Sequence, residues 1–227
     1  SILTMDFLYL FGLWISALQI LFVFMPVPFI LEWRKRGSTE GFSAVMFVLP
    51  FLIMGCWMRY GFMTGDTMMV VTNAIMTTTS IFYLVIFIHY TKERTTVYRQ
   101  LAAVLGALVA VFAYVSTLNK EDQADRMGAI SGVVQNLRLI GALYHIKSVF
   151  ETKTTEYVPY QMTFVMTFFI SQMMLYSVLS CNFYMTMGAI PGVLLCALNL
   201  SLYVIYPPIT WRVPILGTQQ KKIEKAE

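Results

Sequence analysis

The chain has 227 residues, of which 58% are hydrophobic and 12% charged, with a net charge of +4 at pH 7 and a mean hydropathy of +0.67. That balance excludes a soluble domain of any size and defines a polytopic membrane protein whose surroundings are a lipid bilayer. Seven helices of roughly 20 residues would occupy about 140 residues, leaving short loops and a tail.

In chain order, the first apolar stretch covers residues 7–31 and is interrupted by Pro26-Val27-Pro28. Glu32-Trp33-Arg34-Lys35-Arg36-Gly37 then reads as a basic loop. The second stretch, 42–63, contains Pro50, and a tight turn at Gly65-Asp66 leads into the third, 68–89. A loop over 91–100 carries Lys92, Arg94 and Arg99. The fourth stretch, 101–118, has 18 residues without a charge, long enough to cross a membrane. A polar loop, 119–126, precedes the fifth, 127–146, whose exit carries Lys147 and Lys153. The sixth, 158–179, turns back over 180–185 into the seventh, 187–206, which Pro207-Pro208 stops. The end of the chain, Lys221-Lys222-Ile223-Glu224-Lys225, is expected to be solvated.

Loop charge alternates. Segments 32–41, 91–100, 147–157 and the tail hold 12 of the 16 Lys and Arg residues, against Lys120 and Arg126 on the other side. The basic side is expected to be cytoplasmic, with the N-terminus outside or lumenal and the C-terminus inside. Cys56, Cys181 and Cys196 lie in or beside apolar stretches, so no extracellular disulfide framework is expected.

A shift of 116 residues lays Gly37-Ser38-Thr39-Glu40 on Lys153-Thr154-Thr155-Glu156, and Trp57-Met58-Arg59-Tyr60 on Met173-Met174-Leu175-Tyr176. It also lays Gln19 and Tyr90 on Gln135 and Tyr206. Span lengths and loop signs match under the same shift, which is the signature of an internal repeat. A three-span unit starts on one side of the membrane and ends on the other. A second copy in the same orientation needs one extra crossing, and the plain Ala/Gly/Val-rich fourth stretch supplies it. The expected fold is an all-α membrane protein with seven transmembrane helices in two parallel three-helix repeats. Its parts are a first repeat over 1–98, a linker helix over 99–119, a second repeat over 120–210 and a cytoplasmic tail over 211–227.

Over nearly its whole length the chain resembles the SWEET family of sugar transporters, animal-type members in particular. The residues that carry the resemblance are Pro26-Val27-Pro28, Ser38-Thr39-Glu40, Trp57-x-x-Tyr60-Gly61 and Asn73, then Thr154-Thr155-Glu156, Tyr176 and Tyr206-Pro207. The resemblance implies parallel repeats, a sugar site between them, and passive bidirectional transport of a monosaccharide such as glucose. It also implies a plasma-membrane or Golgi address and leaves homo-oligomerisation open. The second repeat departs from the family pattern. Asn73 falls on Ala189 where a second Asn is usual, and Trp57 falls on Met173. Pro26 and Pro50 fall on Ala142 and Met166.

A sugar needs hydrogen-bond partners for its hydroxyls and an apolar surface for its C–H faces. Asn73 and Trp57 offer these. Their bland readings are an amide bonded to a neighbouring helix and an interfacial aromatic. Met173 and Ala189 would complete the opposite wall by shape. Asn199, ten residues past Ala189, lies roughly 15 Å further along a helix and does not replace the missing amide. Pro26, Pro50 and Pro191 each remove a backbone donor and are candidate hinges, or simply static kinks. By the resemblance, Tyr60 and Asn182 form a closing pair on the outer side, and Asp66 is the repeat-mate of Asn182.

No Asp or Glu lies within the seven apolar stretches, and His89 and His145 sit at helix ends. Ion-coupled carriers rely on intramembrane acids or histidines, so uncoupled diffusion by alternating access is expected, with no cofactor, no metal and no nucleic-acid partner. Arg138, near the middle of the fifth stretch, is the exception, with substrate contact and structural pairing both open. A seven-span receptor would not need the repeat. A retinal protein would want a lysine in the last span, and a Pro-Gln-loop carrier a Pro-Gln dipeptide; both are absent. No metal-ligand cluster or nucleophile–base pair supports an enzyme. A non-transporting adaptor that keeps the fold, or a carrier of another small polar solute, remains the alternative.

Overall fold

The computed structural model describes residues 2–156, 158, 160–214 and 216–220, with backbone only for 2–5, 141, 144 and 145. His145 and the Lys-rich end at 221–225 therefore lie outside the described side chains. Among the described residues the helices are α1 (Ile2–Phe22), α2 (Val27–Arg36), α3 (Val45–Thr64), α4 (Thr67–Tyr90), α5 (Arg94–Ser116), α6 (Lys120–Val134), a 3₁₀ turn (Gln135–Arg138), α7 (Leu139–Thr152), α8 (Tyr160–Leu179) and α9 (Phe183–Ile205). Six stretches are long and apolar enough to cross a membrane, and the fifth expected span is the one split into shorter pieces, α6 and α7. The chain forms two compact units, residues 1–135 and 136–227.

Three expected loops are largely helical. The basic segment 32–36 continues α2 until Gly37 closes it in the left-handed region at φ 65°. Most of 91–100 belongs to α5, and the polar segment 120–126 is the start of α6, with Glu121 and Asp122 in its first turn. Sequence polarity marks where a helix leaves the apolar layer, not where it ends. Carboxylates near a helix N-terminus favour starting early.

In the first unit, α3 packs against α4, α5 and α6, and α1 and α2 pack on α4. Its basic-loop end is closed by an aromatic cluster: Trp33, 0% exposed, meets Phe42, Phe47 and Phe87 edge-on at 5.2–5.5 Å. Trp33 thus lies in the core and not in a loop. Gly55 lets α5 approach, since a Cβ there would stand 2.8 Å from a Leu108 methyl.

In the second unit α9 packs on α8 and α7. The positions 116 residues on from Trp33 and Phe87 are Val149 and Tyr203, both buried. The smaller cluster is completed by the chain after α9. Val213, 1% exposed, is buried with Tyr160 and Tyr203, and Trp211 packs on the Tyr203 ring. The Thr218 hydroxyl donates to the Tyr203 carbonyl at 2.8 Å, and the Gln220 side chain to that of Lys153 at 2.8 Å. The described part of the tail is folded onto the unit.

The repeat is written in the backbone. Gly37 and Lys153 both end a helix with positive φ, as do Gly65 and Cys181. Asp66 accepts the Met69 amide at 2.9 Å to cap α4, and Asn182 accepts the Met185 amide at 3.1 Å to cap α9. The amides of Glu40 and Glu156 donate to the hydroxyls of Ser38 and Thr154 at 3.1 and 3.2 Å. Every pair is 116 residues apart.

Glu156 fastens the tail. Its carboxylate accepts the amides of Ile209 and Thr210, at 2.7 and 3.1 Å, together with the Thr210 hydroxyl. These bonds, the Thr210 hydroxyl foremost, hold the carboxyl below its ordinary value. The clamp is complete at neutral pH and is lost as the pH falls through that lowered value. Glu156→Ala is expected to speed trypsin cleavage after Arg212 at neutral pH. In the unaltered protein, hydrogen exchange should show the Ile209 amide losing protection only below the usual carboxylate range. Trp33→Ala should destabilise the protein by about 3–5 kcal/mol, read from thermal unfolding in detergent.

Candidate functional site

The first span breaks because Pro26 supplies no amide, and the chain tightens instead of opening. The amides of Phe24, Met25 and Val27 donate to the carbonyls of Leu21, Phe22 and Phe24, all at 3.1 Å. This three-residue spacing keeps the backbone satisfied while α2 leaves α1. The break lies at residues 23–26, a turn before the full Pro-Val-Pro motif ends, because Pro28 is tolerated in the first turn of α2. Beside it is a cavity of about 190 Å³ inside the first unit, whose lining includes Gln19, Phe22, Pro26, Pro50, Met54 and Ser80. Two hinge candidates, Pro26 and Pro50, thus share one cavity. Pro50 sits in an unbroken α3, as Pro191 does in an unbroken α9.

Asn73 and Trp57 occupy α4 and α3 about a turn or less from that cavity, toward the Gly65-Asp66 turn, outside its lining. The Asn73 amide nitrogen donates to the Met69 carbonyl of its own helix at 2.8 Å. Trp57, 8% exposed, meets Tyr60 edge-on at 5.7 Å, so both are packed inside the unit rather than laid on its surface. The Thr77 hydroxyl reaches the Met54 sulfur at 3.6 Å, tying α4 to α3 between these positions and the cavity.

In the second unit Met173 and Ala189 are half-buried on α8 and α9, and Pro191 is exposed. Asn182 is engaged as the cap of α9. The turn it caps differs from its mate in one contact. At Gly61 a Cβ would stand 3.0 Å from a Val70 methyl, whereas Ser177 is bonded by the Thr186 hydroxyl at 3.1 Å. The first repeat closes this turn by omitting a side chain and the second by a hydrogen bond.

The fifth span loses its regular helix at Gln135–Arg138 without any proline. Val133-Val134 crowds the helix, and Asn136 can compete for backbone partners. The tightening falls one turn earlier than a transposed Pro26 would place it. Arg138 is the last residue of this turn and the N-cap of α7. The broken span, the methionines near the cavity and the tail clamp were not legible as site features. Of these only the clamp had a signal, the repeated Thr-Glu.

These features define an integral membrane protein of the three-plus-one-plus-three helical fold. A solved structure of a eukaryotic SWEET transporter matches it with a TM-score of 0.76 and 21% identity, over 91% of this chain and 99% of that one. A family model described as sugar efflux transporter for intercellular exchange matches residues 9–95 and again 127–210. The chain belongs to this family, the SWEET family, which is one of transporters and not of enzymes. Sugar transporter SWEET1 of Drosophila pseudoobscura pseudoobscura is 30% identical over 200 residues, 86% of each chain. Sugar transporter SWEET1 of Danio rerio is 27% identical, covering 92% of this chain and 97% of its own. Bidirectional sugar transporter SWEET10 of Arabidopsis thaliana is 25% identical over 86% of this chain and 70% of its own.

Of the three free cysteines, Cys56 and Cys196 are buried and Cys181 is exposed at the turn before α9. A maleimide should therefore modify Cys181 alone in the native protein and all three after denaturation, counted by mass spectrometry.

Proposed function

We propose that the protein carries sugars across a membrane by facilitated, bidirectional alternating access, with a monosaccharide such as glucose as its substrate. The observation that supports this most directly is the double match of one sugar-transporter family model to 9–95 and 127–210, with relatives of nearly full coverage named sugar transporters. The working parts are a repeat over 1–98, a linker over 99–119, a second repeat over 120–210 and a tail over 211–227. Asn73, Trp57, Met173 and Ala189 line the substrate path in this reading. Pro26 with Pro50, and Pro191, act as hinges, and Tyr60 and Asn182 close the outer side. Transport is uncoupled because the seven apolar stretches contain no carboxylate to relay an ion. The N-terminus is outside or lumenal and the tail cytoplasmic, in the plasma membrane or the Golgi.

Radiolabelled glucose uptake into liposomes holding the purified chain tests this. Equal flux is expected with and without a pH gradient, and Asn73→Ala should lower the flux about 10-fold, as expected for loss of one buried hydrogen-bonding group worth about 1–3 kcal/mol. Accumulation driven by the pH gradient would end the uncoupled reading. Absence of flux for every sugar would favour an adaptor that kept the fold.

A further inference from the structure

Arg138 is a cation with no role so far. In the chain it stands 11 residues after Met127 and 8 before Ile146, the ends of the fifth apolar stretch. At 1.5 Å per residue that is roughly 12 Å or more of helix from either end, further than an arginine side chain reaches. It cannot snorkel to a headgroup. A charge at such depth marks a pathway by default, and its partner has to be named.

Among its described residues the second unit offers it no free carboxylate. The described acids there are Glu151, which pairs with Lys147 at 3.8 Å, and Glu156, which is occupied by the tail. Arg138 is exposed and makes no ion pair or hydrogen bond among the described residues. Arg138 caps α7, which packs on α9. The first unit shows what this position does in the fold. The mate of Arg138 is Phe22 and the mate of Cys196 is Ser80, and both line the cavity beside the broken first span. By the 116-residue shift a guanidinium stands where the first repeat has a cavity-lining phenyl ring.

We propose that Arg138 reads the substrate and selects sugars that carry an anionic group, a carboxylate or a phosphate. The planar guanidinium binds either group through paired, charge-assisted hydrogen bonds. This inference rests on the reading of the chain as a sugar carrier and narrows its substrate class. It adds one physical consequence. Uncoupled movement of an anion carries charge, so its distribution follows the membrane potential while that of glucose does not.

The test uses the full chain in phosphatidylcholine liposomes, with glucose, glucuronate and glucose 6-phosphate as solutes, and repeats the assay with phosphatidylglycerol added. Glucuronate or glucose 6-phosphate should half-saturate uptake at a concentration about 10-fold or more below that of glucose, the worth of a charge-assisted hydrogen bond. An inside-positive potential should accumulate the anion and leave glucose at equal concentrations. Arg138→Met should abolish the preference, and Arg138→Lys should keep part of it. The two anions together tell whether carboxylate or phosphate is read. Equal handling of glucose and both anions, a preference that survives Arg138→Met, or one that appears only with phosphatidylglycerol overturns the proposal. Thermal unfolding in detergent separates the two readings. If no solute is carried but glucose 6-phosphate stabilises the protein and not Arg138→Met, the anion site stands and the carrier reading falls. If there is neither transport nor stabilisation, both fall.

Discussion

The packing of Trp33 is the constraint on which the first unit depends. A membrane-crossing helix that breaks gives up its own continuity, and the part beyond the break has to be held by something else. Here α2 is held by one indole buried among Phe42, Phe47 and Phe87. That contact fixes one side of the Pro26 break, while the three-residue hydrogen bonds across 23–26 keep the backbone satisfied. A segment that can bend must be anchored on one side, and the aromatic cluster provides the anchor at the basic-loop end.

The second unit solves the same problem with different chemistry. Val149 replaces Trp33, and Thr163 with Tyr203 replaces the stacked Phe47–Phe87 pair, joined by a 3.4 Å contact between hydroxyls. The lost aromatic bulk returns from beyond the last helix as Trp211 and Val213, with Glu156 gripping the chain at Ile209 and Thr210. The two copies keep their helix ends and caps while their contacts diverge. Turn geometry depends on a few residues of backbone, whereas packing can be refilled from any direction.

The same divergence bears on chemistry. The first unit has an amide, an indole and a cavity edged by two prolines. The second has exchanged the amide for Ala189, the indole for Met173 and a phenyl ring for Arg138. The one Lys or Arg of the second unit that falls within an apolar stretch is Arg138, from the fifth.

Much of this was legible in the residues. Hydropathy located the six long apolar stretches that could cross a membrane, because lipid leaves a spanning chain no alternative to helix. The 116-residue shift paired Asp66 with Asn182 and Gly37 with Lys153, and each pair shares its backbone geometry because caps and left-handed turns are local. Loop-like polarity over 32–36 and 119–126 misled, because charged residues are good helix formers once outside the apolar layer. The burial of Trp33, the cavity shared by Pro26 and Pro50 and the folded-back tail depended on contacts between residues far apart in the chain. So did the helix break at Gln135–Arg138, which no proline announces. Sequence by itself determined the apolar stretches and the paired turns of the repeat, each set by neighbours within a few residues. Only the tertiary structure decided which side chains fill the core, line the cavity or stand unpaired at depth, because those depend on what the other helices bring.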